Sequence, residues 1–105
     1  MNLKDLQTMV DRWIRKNAGG YWDKFQILAR LTEEVGEVAS ALQRQEGLRP
    51  RKVEVDLEGE IGDLLFTLAA FANVNNIDLE QSLRKVMTKY DLRDVADWQK
   101  VQKEG

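Results

Sequence analysis

The sequence contains no cysteine, no histidine and a single proline in 105 residues. Without cysteine there is no disulfide, no thiolate nucleophile and no thiolate zinc site. Without histidine, imidazole ligands and imidazole acid–base catalysis are excluded as well. Any chemistry must come from carboxylates, Lys and Arg, hydroxyls or a hard cation. A strong charge of one sign is also missing. The 16 basic and 18 acidic residues give a formal charge of −2 with no basic run, so the electrostatic footprint of a nucleic-acid binder is not there. No apolar run approaches the roughly 18 residues that a membrane span needs. The start, Met1-Asn2-Leu3-Lys4-Asp5, lacks the charged-then-apolar layout of a signal peptide. The expectation is a cytoplasmic protein with neither nucleic acid nor membrane as partner. Residues 1–105 are read as one domain, short enough that a lone chain would leave much apolar surface exposed, so a homo-oligomer is expected.

What is present is apolar spacing at three and four residues, the period of helices. The first helix is predicted from about Leu3 to Lys16, with Leu3, Leu6, Met9, Val10, Trp13 and Ile14 on one face. Trp13, on that stripe, is read as core. Asn17-Ala18-Gly19-Gly20 ends the helix with residues that tolerate left-handed backbone. The second helix begins near Trp22 or Asp23 and runs to about Gln45, with Ile27, Leu28, Leu31, Val35, Val38, Ala39 and Leu42 as its stripe. Glu46-Gly47-Leu48-Arg49-Pro50 reads as a loop. The third starts within Lys52 to Asp56 and runs to about Asn75, burying Leu57, Ile61, Leu64, Leu65, Leu68, Ala69 and Ala72. Asp78 and Gln81 have the spacing of a capping box for a short fourth helix to about Tyr90. The tail, with Arg93, Asp94, Asp97 and Trp98, reads either as a further helical turn or as a docking arm. The fold class is all-α, a four-helix-bundle-like arrangement with short loops.

Two segments repeat one local word at an offset of 26 residues: Glu34-Val35-Gly36-Glu37 and Glu60-Ile61-Gly62-Asp63. On a helical wheel Glu34 lies about 75° and Glu37 about 135° from the centre of the apolar stripe, and Glu60 and Asp63 lie about 80° and 140° from theirs. Each helix therefore carries a carboxylate pair on one flank of its buried face, and antiparallel packing would bring four carboxylates together at the edge of the bundle. Such a cluster repels itself and raises its own pKa values unless a cation sits in it. An oxygen-only donor set favours Mg²⁺ or Mn²⁺ over zinc. Gly36 and Gly62 each cost about 1 kcal/mol relative to alanine inside a helix. Close helix approach or ligand access would account for both. The plain alternative is a solvated acidic face.

These residues resemble the MazG-type nucleotide pyrophosphohydrolase family, whose motif is E-E-x-x-E followed after a loop by E-x-x-D. Here it reads Glu33-Glu34-Val35-Gly36-Glu37, then Glu60-Ile61-Gly62-Asp63-Leu64-Leu65-Phe66, and the resemblance continues through Ile77-Asp78 and Lys89-Tyr90 to Arg93. It implies a Mg²⁺ site on Glu34, Glu37, Glu60 and Asp63, with Mn²⁺ as a substitute. Glu33 shares a face with Glu37 and would either bind a second ion or orient the attacking water, so Glu33, Glu34 and Glu37 are the catalytic candidates. Lys89 and Arg93 match the family's triphosphate-holding positions. Otherwise they are a helix-dipole partner and a surface ion pair. Trp22 and Phe25 are the aromatic candidates for a base pocket, with simple packing as the other reading. Many relatives carry asparagines where this sequence has Ala70 and Met87, so no specific substrate carries over.

The implied reaction is NTP plus water giving NMP and pyrophosphate, with water attacking the α-phosphorus in line and Mg²⁺ supporting the charge. The resemblance also implies a homodimer or homotetramer. Competing readings are a dUTP- or dCTP-type pyrophosphatase, a phosphoribosyl-ATP pyrophosphohydrolase of the same superfamily, and a non-catalytic helical interaction module. A di-iron bundle would need Glu-x-x-His pairs.

Overall fold

The computed structural model describes residues 1–50 and 54–104, and of residues 94–96, 98, 103 and 104 the backbone only. Five α-helices follow one another: α1 (Leu3–Asn17), α2 (Lys24–Gln45), α3 (Leu57–Val74), α4 (Leu79–Lys89) and α5 (Val95–Glu104), the last two joined by a π-helical turn over Tyr90–Asp94. No strand occurs among the described residues. Among the described residues no helix is long and apolar enough to cross a membrane.

The helix starts are written in short polar side chains. Asn2 caps α1, accepting from the Asp5 backbone N–H at 2.8 Å while Asp5 accepts in return, a reciprocal box that satisfies two orphan donors. Asp23 accepts from the N–H groups of Phe25 and Gln26 at the head of α2, and Asp78 from Gln81 at the head of α4. Asp56 caps α3 by accepting from the Gly59 N–H at 2.9 Å, and a Cβ at Gly59 would collide with that same carboxylate. The third helix thus begins at Leu57, one residue past the span expected for its start, with Asp56 as its cap. Of that span Lys52, with the neighbouring Val53, lies outside the described residues. The α1–α2 turn passes through Gly19 and Gly20 at φ +72° and +127°, values that side chains disfavour.

Packing runs antiparallel between α2 and α3. Ile27 near the start of α2 meets Ala69 and Ala70 late in α3, while Glu34 farther along α2 meets Glu60 and Asp63 early in α3. Helix α1 lies on α3, adding Val10 and Ile14 to the core formed with Ile27, Ala69 and Ala70. Small alanines on α3 let these helices close together. The N-terminal end of α4 docks on α1 through one polar clip. Gln7 donates to Asn73 Oδ1 at 3.0 Å and to the Ile77 carbonyl at 2.8 Å, and accepts from the Leu79 N–H at 2.9 Å. Asn73 donates to the Gln7 carbonyl and to the Tyr21 hydroxyl.

Two expected core faces are only half used. On α2 the residues that bury are Ile27, Glu34 and Ala41, with Leu31 and Val38 half-buried, whereas Leu28, Val35, Ala39 and Leu42 stay exposed. On α3 the buried residues are Thr67, Ala69, Ala70 and Ala72, and Ile61, Leu65 and Leu68 face outward. The apolar stripes are wider than one helix neighbour can cover, so a second apolar face remains on the outside of the α2–α3 pair. The α4 helix meets α1 more than α2 or α3, so the four main helices do not close into a bundle within one chain. Trp13, expected in the core, is 53 % exposed. Its neighbours Val10 and Ile14 take the α3-facing positions, and the indole is left on the rim of a cavity.

Candidate active site

Glu34 is 3 % exposed. It is the only charged side chain among the buried residues described, placed on the α2 face that meets α3 because it lies seven residues, about two turns, beyond buried Ile27. Glu60, half-buried, comes from the first turn of α3, and exposed Asp63 lies one turn farther on the same side. One carboxylate oxygen from each of Glu34, Glu60 and Asp63 falls within 4.8 Å of the other two. Glu60 is pushed above the usual carboxylate range, first by partial burial, then by the charges of Glu37, Asp63, Glu34 and Asp56. Glu37 is exposed and stands outside the three-oxygen group, but its charge is the strongest of those acting on Glu60.

Buried Glu34 is balanced by Arg30, one turn earlier on α2, whose Nη2 stands 2.9 Å from Glu34 Oε1. Arg30 Nη1 also approaches Glu33 Oε2 at 3.5 Å. Glu33 points to the outside of α2, away from the three-oxygen group, onto a shallow groove shared with Trp22, Gln26, Ala29 and Arg30.

Beside the acids opens a cavity of about 450 Å³. Its apolar wall is made by Trp13, Ile14, Tyr21, Trp22, Ile27 and Phe66, with Glu34, Asp63 and Arg30 at its polar side. The rings of Trp13 and Phe66 meet edge to face, 5.7 Å between centroids at 88°, the arrangement favoured by ring quadrupoles. Tyr21 is fixed at its polar end: its hydroxyl donates to Asp11 at 2.6 Å and accepts from Asn73. Burial and the Asp11 contact raise the Tyr21 pKa, and the Tyr21 hydroxyl leads the causes that lower that of Asp11. The Thr67 hydroxyl on the cavity floor is engaged with the Asp63 carbonyl at 2.9 Å.

The structure therefore gathers Glu34, Asp63 and Trp22 around one cavity, with Glu60 completing the carboxylate group beside it and Glu37 close by. Phe25 is not there. Phe25 is 74 % exposed beside the ammonium of Lys24. Lys89 lies over the Tyr90 ring and Arg93 sits in the π turn, and neither lines the cavity of its own chain. Sequence reasoning missed Arg30, Tyr21 and Phe66 and placed Trp13 elsewhere. Arg30 was within reach, since an Arg four residues before a buried Glu is its natural partner. The cavity's aromatic wall depends on the α1–α2 turn and carries no periodic signal.

Residues 24–96 match the profile of the MazG nucleotide pyrophosphohydrolase domain. The chain belongs to the MazG nucleotide pyrophosphohydrolase family. A protein of Bacillus subtilis (strain 168) described as uncharacterised, YpjD, is 41 % identical over 99 residues, 91 % of this chain and 89 % of its own length. The crystal structure of Bacillus subtilis YpjD, a proposed pyrophosphatase, covers 86 % of this chain and 95 % of its own with a TM-score of 0.76. The crystal structure of the Bacillus-conserved MazG protein, a nucleotide pyrophosphohydrolase, is 39 % identical and covers 86 % of this chain and 89 % of its own with a TM-score of 0.73. The MazG assignment makes this protein a hydrolase, and its two E-x-G-[E/D] words are where the carboxylates meet.

Proposed function

We propose that this MazG protein is a Mg²⁺-dependent nucleoside triphosphate pyrophosphohydrolase, cutting between the α- and β-phosphates to release NMP and pyrophosphate. One observation carries the reading: three carboxylate oxygens from α2 and α3 converge within 4.8 Å at the side of an aromatic-walled cavity. The donor set fits the ion. It is all oxygen, and desolvation followed by repulsion from the neighbouring acids already disfavours the charged form of Glu60. Glu34, Glu60 and Asp63 would hold the ion, Glu37 is the fourth candidate ligand, and Mn²⁺ would substitute. A bound Mg²⁺ supplies neutralisation of phosphate oxygens and a more acidic water.

The remaining work belongs to the protein. Trp13, Trp22, Tyr21 and Phe66 offer flat apolar surface to a base, which fixes the phosphates relative to the carboxylates and excludes bulk water. Glu37, whose charge acts on Glu60, would orient a water or accept its proton, whereas Glu33, turned to the groove on the outside of α2, would need to turn inward to do so. Lys89 and Arg93 lie outside the cavity of their own chain, and a second copy is one way to bring them to the triphosphate.

Homo-oligomer formation is part of this reading. The accessible surface is 8401 Å², whereas a 12.1 kDa monomer is expected to expose about 6,000 Å². The radius of gyration of 17.7 Å exceeds the roughly 13 Å of a compact chain of this length. The outward residues Leu28, Val35, Leu42, Ile61, Leu65 and Leu68 supply an apolar face for a second copy.

The test is a panel of canonical and modified NTPs and dNTPs, dUTP and dCTP included, and phosphoribosyl-ATP, with Mg²⁺, resolving NMP, NDP, pyrophosphate and phosphate. Glu34→Gln and Asp63→Asn are run alongside. NMP plus pyrophosphate, lost at least a hundredfold in both variants, is the expected result. NDP plus phosphate would move the cut to the other anhydride bond, and full activity in the variants would remove the carboxylates from the mechanism.

A further inference from the structure

Arg30 is the only cationic side chain among the described residues that line the cavity, and it belongs to none of the roles assigned above. It lies at the junction of the acidic and aromatic sides, bordering both the cavity and the shallow groove on α2. Its two ends are in different surroundings. The guanidinium holds Glu34 Oε1 at 2.9 Å, and Glu34's side chain is only 4 % exposed. Arg30's own side chain is 55 % exposed, with its other nitrogen Nη1 3.5 Å from exposed Glu33.

Two ions would compete for Glu34 at this point. A divalent cation on Glu34, Glu60 and Asp63 would draw on the same carboxylate that Arg30 now contacts and would repel the guanidinium at close range. A triphosphate entering beside that cation would attract it instead, and the planar five-donor fork is suited to bidentate contact with phosphate oxygens. Moving from one anion to the other keeps the guanidinium paired throughout.

We propose that Arg30 is a phosphate-positioning residue that exchanges Glu34 for the substrate's phosphates, and so opposes metal binding in the free enzyme while favouring nucleotide binding in the metal-loaded one. The proposal rests on the Mg²⁺-dependent reading above and adds a sign to it: removing Arg30 changes the two affinities in opposite directions. A guanidinium serving only as an intrahelical brace for α2 would change melting temperature but would not produce that opposition.

The experiment uses the full chain at pH 8, with wild type, Arg30→Gln, Arg30→Lys and Asp63→Asn. Mn²⁺ binding is read by electron paramagnetic resonance without nucleotide. Binding of the α,β-imido analogue of the best substrate in the panel is read by calorimetry at saturating Mn²⁺, and circular dichroism checks the fold. Arg30→Gln is expected to bind Mn²⁺ up to about tenfold tighter, the scale for removing one nearby positive charge in a well-solvated site, and the analogue at least tenfold more weakly. Arg30→Lys keeps the charge and loses the fork, so it should bind Mn²⁺ like wild type and the analogue more weakly. Should Arg30→Gln fail to fold, this Lys variant decides the matter through its analogue affinity. Unchanged or weaker Mn²⁺ binding in Arg30→Gln, or unchanged analogue binding in either variant, overturns the proposal. If Asp63→Asn binds Mn²⁺ as tightly as wild type, it is the metal-site reading itself that has failed.

Discussion

Ionisation of Glu60 is opposed by partial burial and by four neighbouring acids, Glu37, Asp63, Glu34 and Asp56. A carboxyl group with a raised folded pKa contributes stability below its unfolded pKa, and that contribution is lost as the pH climbs through the raised value. In metal-free protein the Glu60 contribution to stability should therefore be lost on going from the ordinary carboxylate range towards neutrality, and Glu60→Gln should lack that component. At pH 7.5 in chelator the variant is expected to melt above wild type, while its turnover with Mg²⁺ falls by at least a hundredfold. A lower melting temperature in chelator would mean that Glu60 is stabilised by a partner rather than strained by its neighbours. Glu34 is held differently, by a neighbouring cation. The buried carboxylate has a cation at 2.9 Å, so truncating Arg30 leaves a desolvated charge behind.

Among the helices, Gly36 and Gly62 are the positions where the structure narrows what sequence could not decide. A Cβ at either would meet nothing within 4 Å, so close approach between α2 and α3 is not what keeps them small. Gly36→Ala should therefore stabilise the free chain by about 1 kcal/mol, the helix-interior difference between the two residues. Reduced stability would place another surface against Gly36, and reduced turnover at raised stability would leave access to the acids as its use. The helices themselves were legible because caps and periodicity are local. Asn2, Asp23, Asp56 and Asp78 mark all four main starts, and Gly19, Gly20 and Asn76 adopt the positive φ angles that end a helix. The acidic pairs were legible because a repeated word at helical spacing survives any register. What stayed hidden was which half of each stripe α2 and α3 would turn inward, and therefore that Trp13 would stand at a rim. That choice depends on tertiary partners absent from a wheel. The tail, left open between helix and arm, is helical through the π turn into α5. Arg93 lies at the π turn, where the extra residue per turn rotates all that follows.

For the molecule as a whole, the exposed stripe Leu28, Val35 and Leu42 recurs every seven residues on α2, the spacing of an interhelical seam. Placing a charge in it, as in Val35→Glu, should shift sedimentation from an oligomer to a monomer and make the melting temperature lower and independent of concentration. A wild type that sediments as a monomer at micromolar concentration would refute the self-association. The stripe and the cavity use different residues of α2, so an oligomer formed through the stripe would leave Ile27, Arg30 and Glu34 to the cavity. The polar clip has a consequence for transplantation. Tyr21, part of the cavity wall, takes its orientation from Asp11 on α1 and Asn73 at the end of α3, and Asn73 is in turn held by Gln7. A chimera that borrows the α1–α2 turn of a relative to alter nucleotide choice would import the wall without its moorings. The smallest portable unit of this pocket is Tyr21 together with Gln7, Asp11 and Asn73, a set scattered over 67 positions of chain and contiguous only when folded.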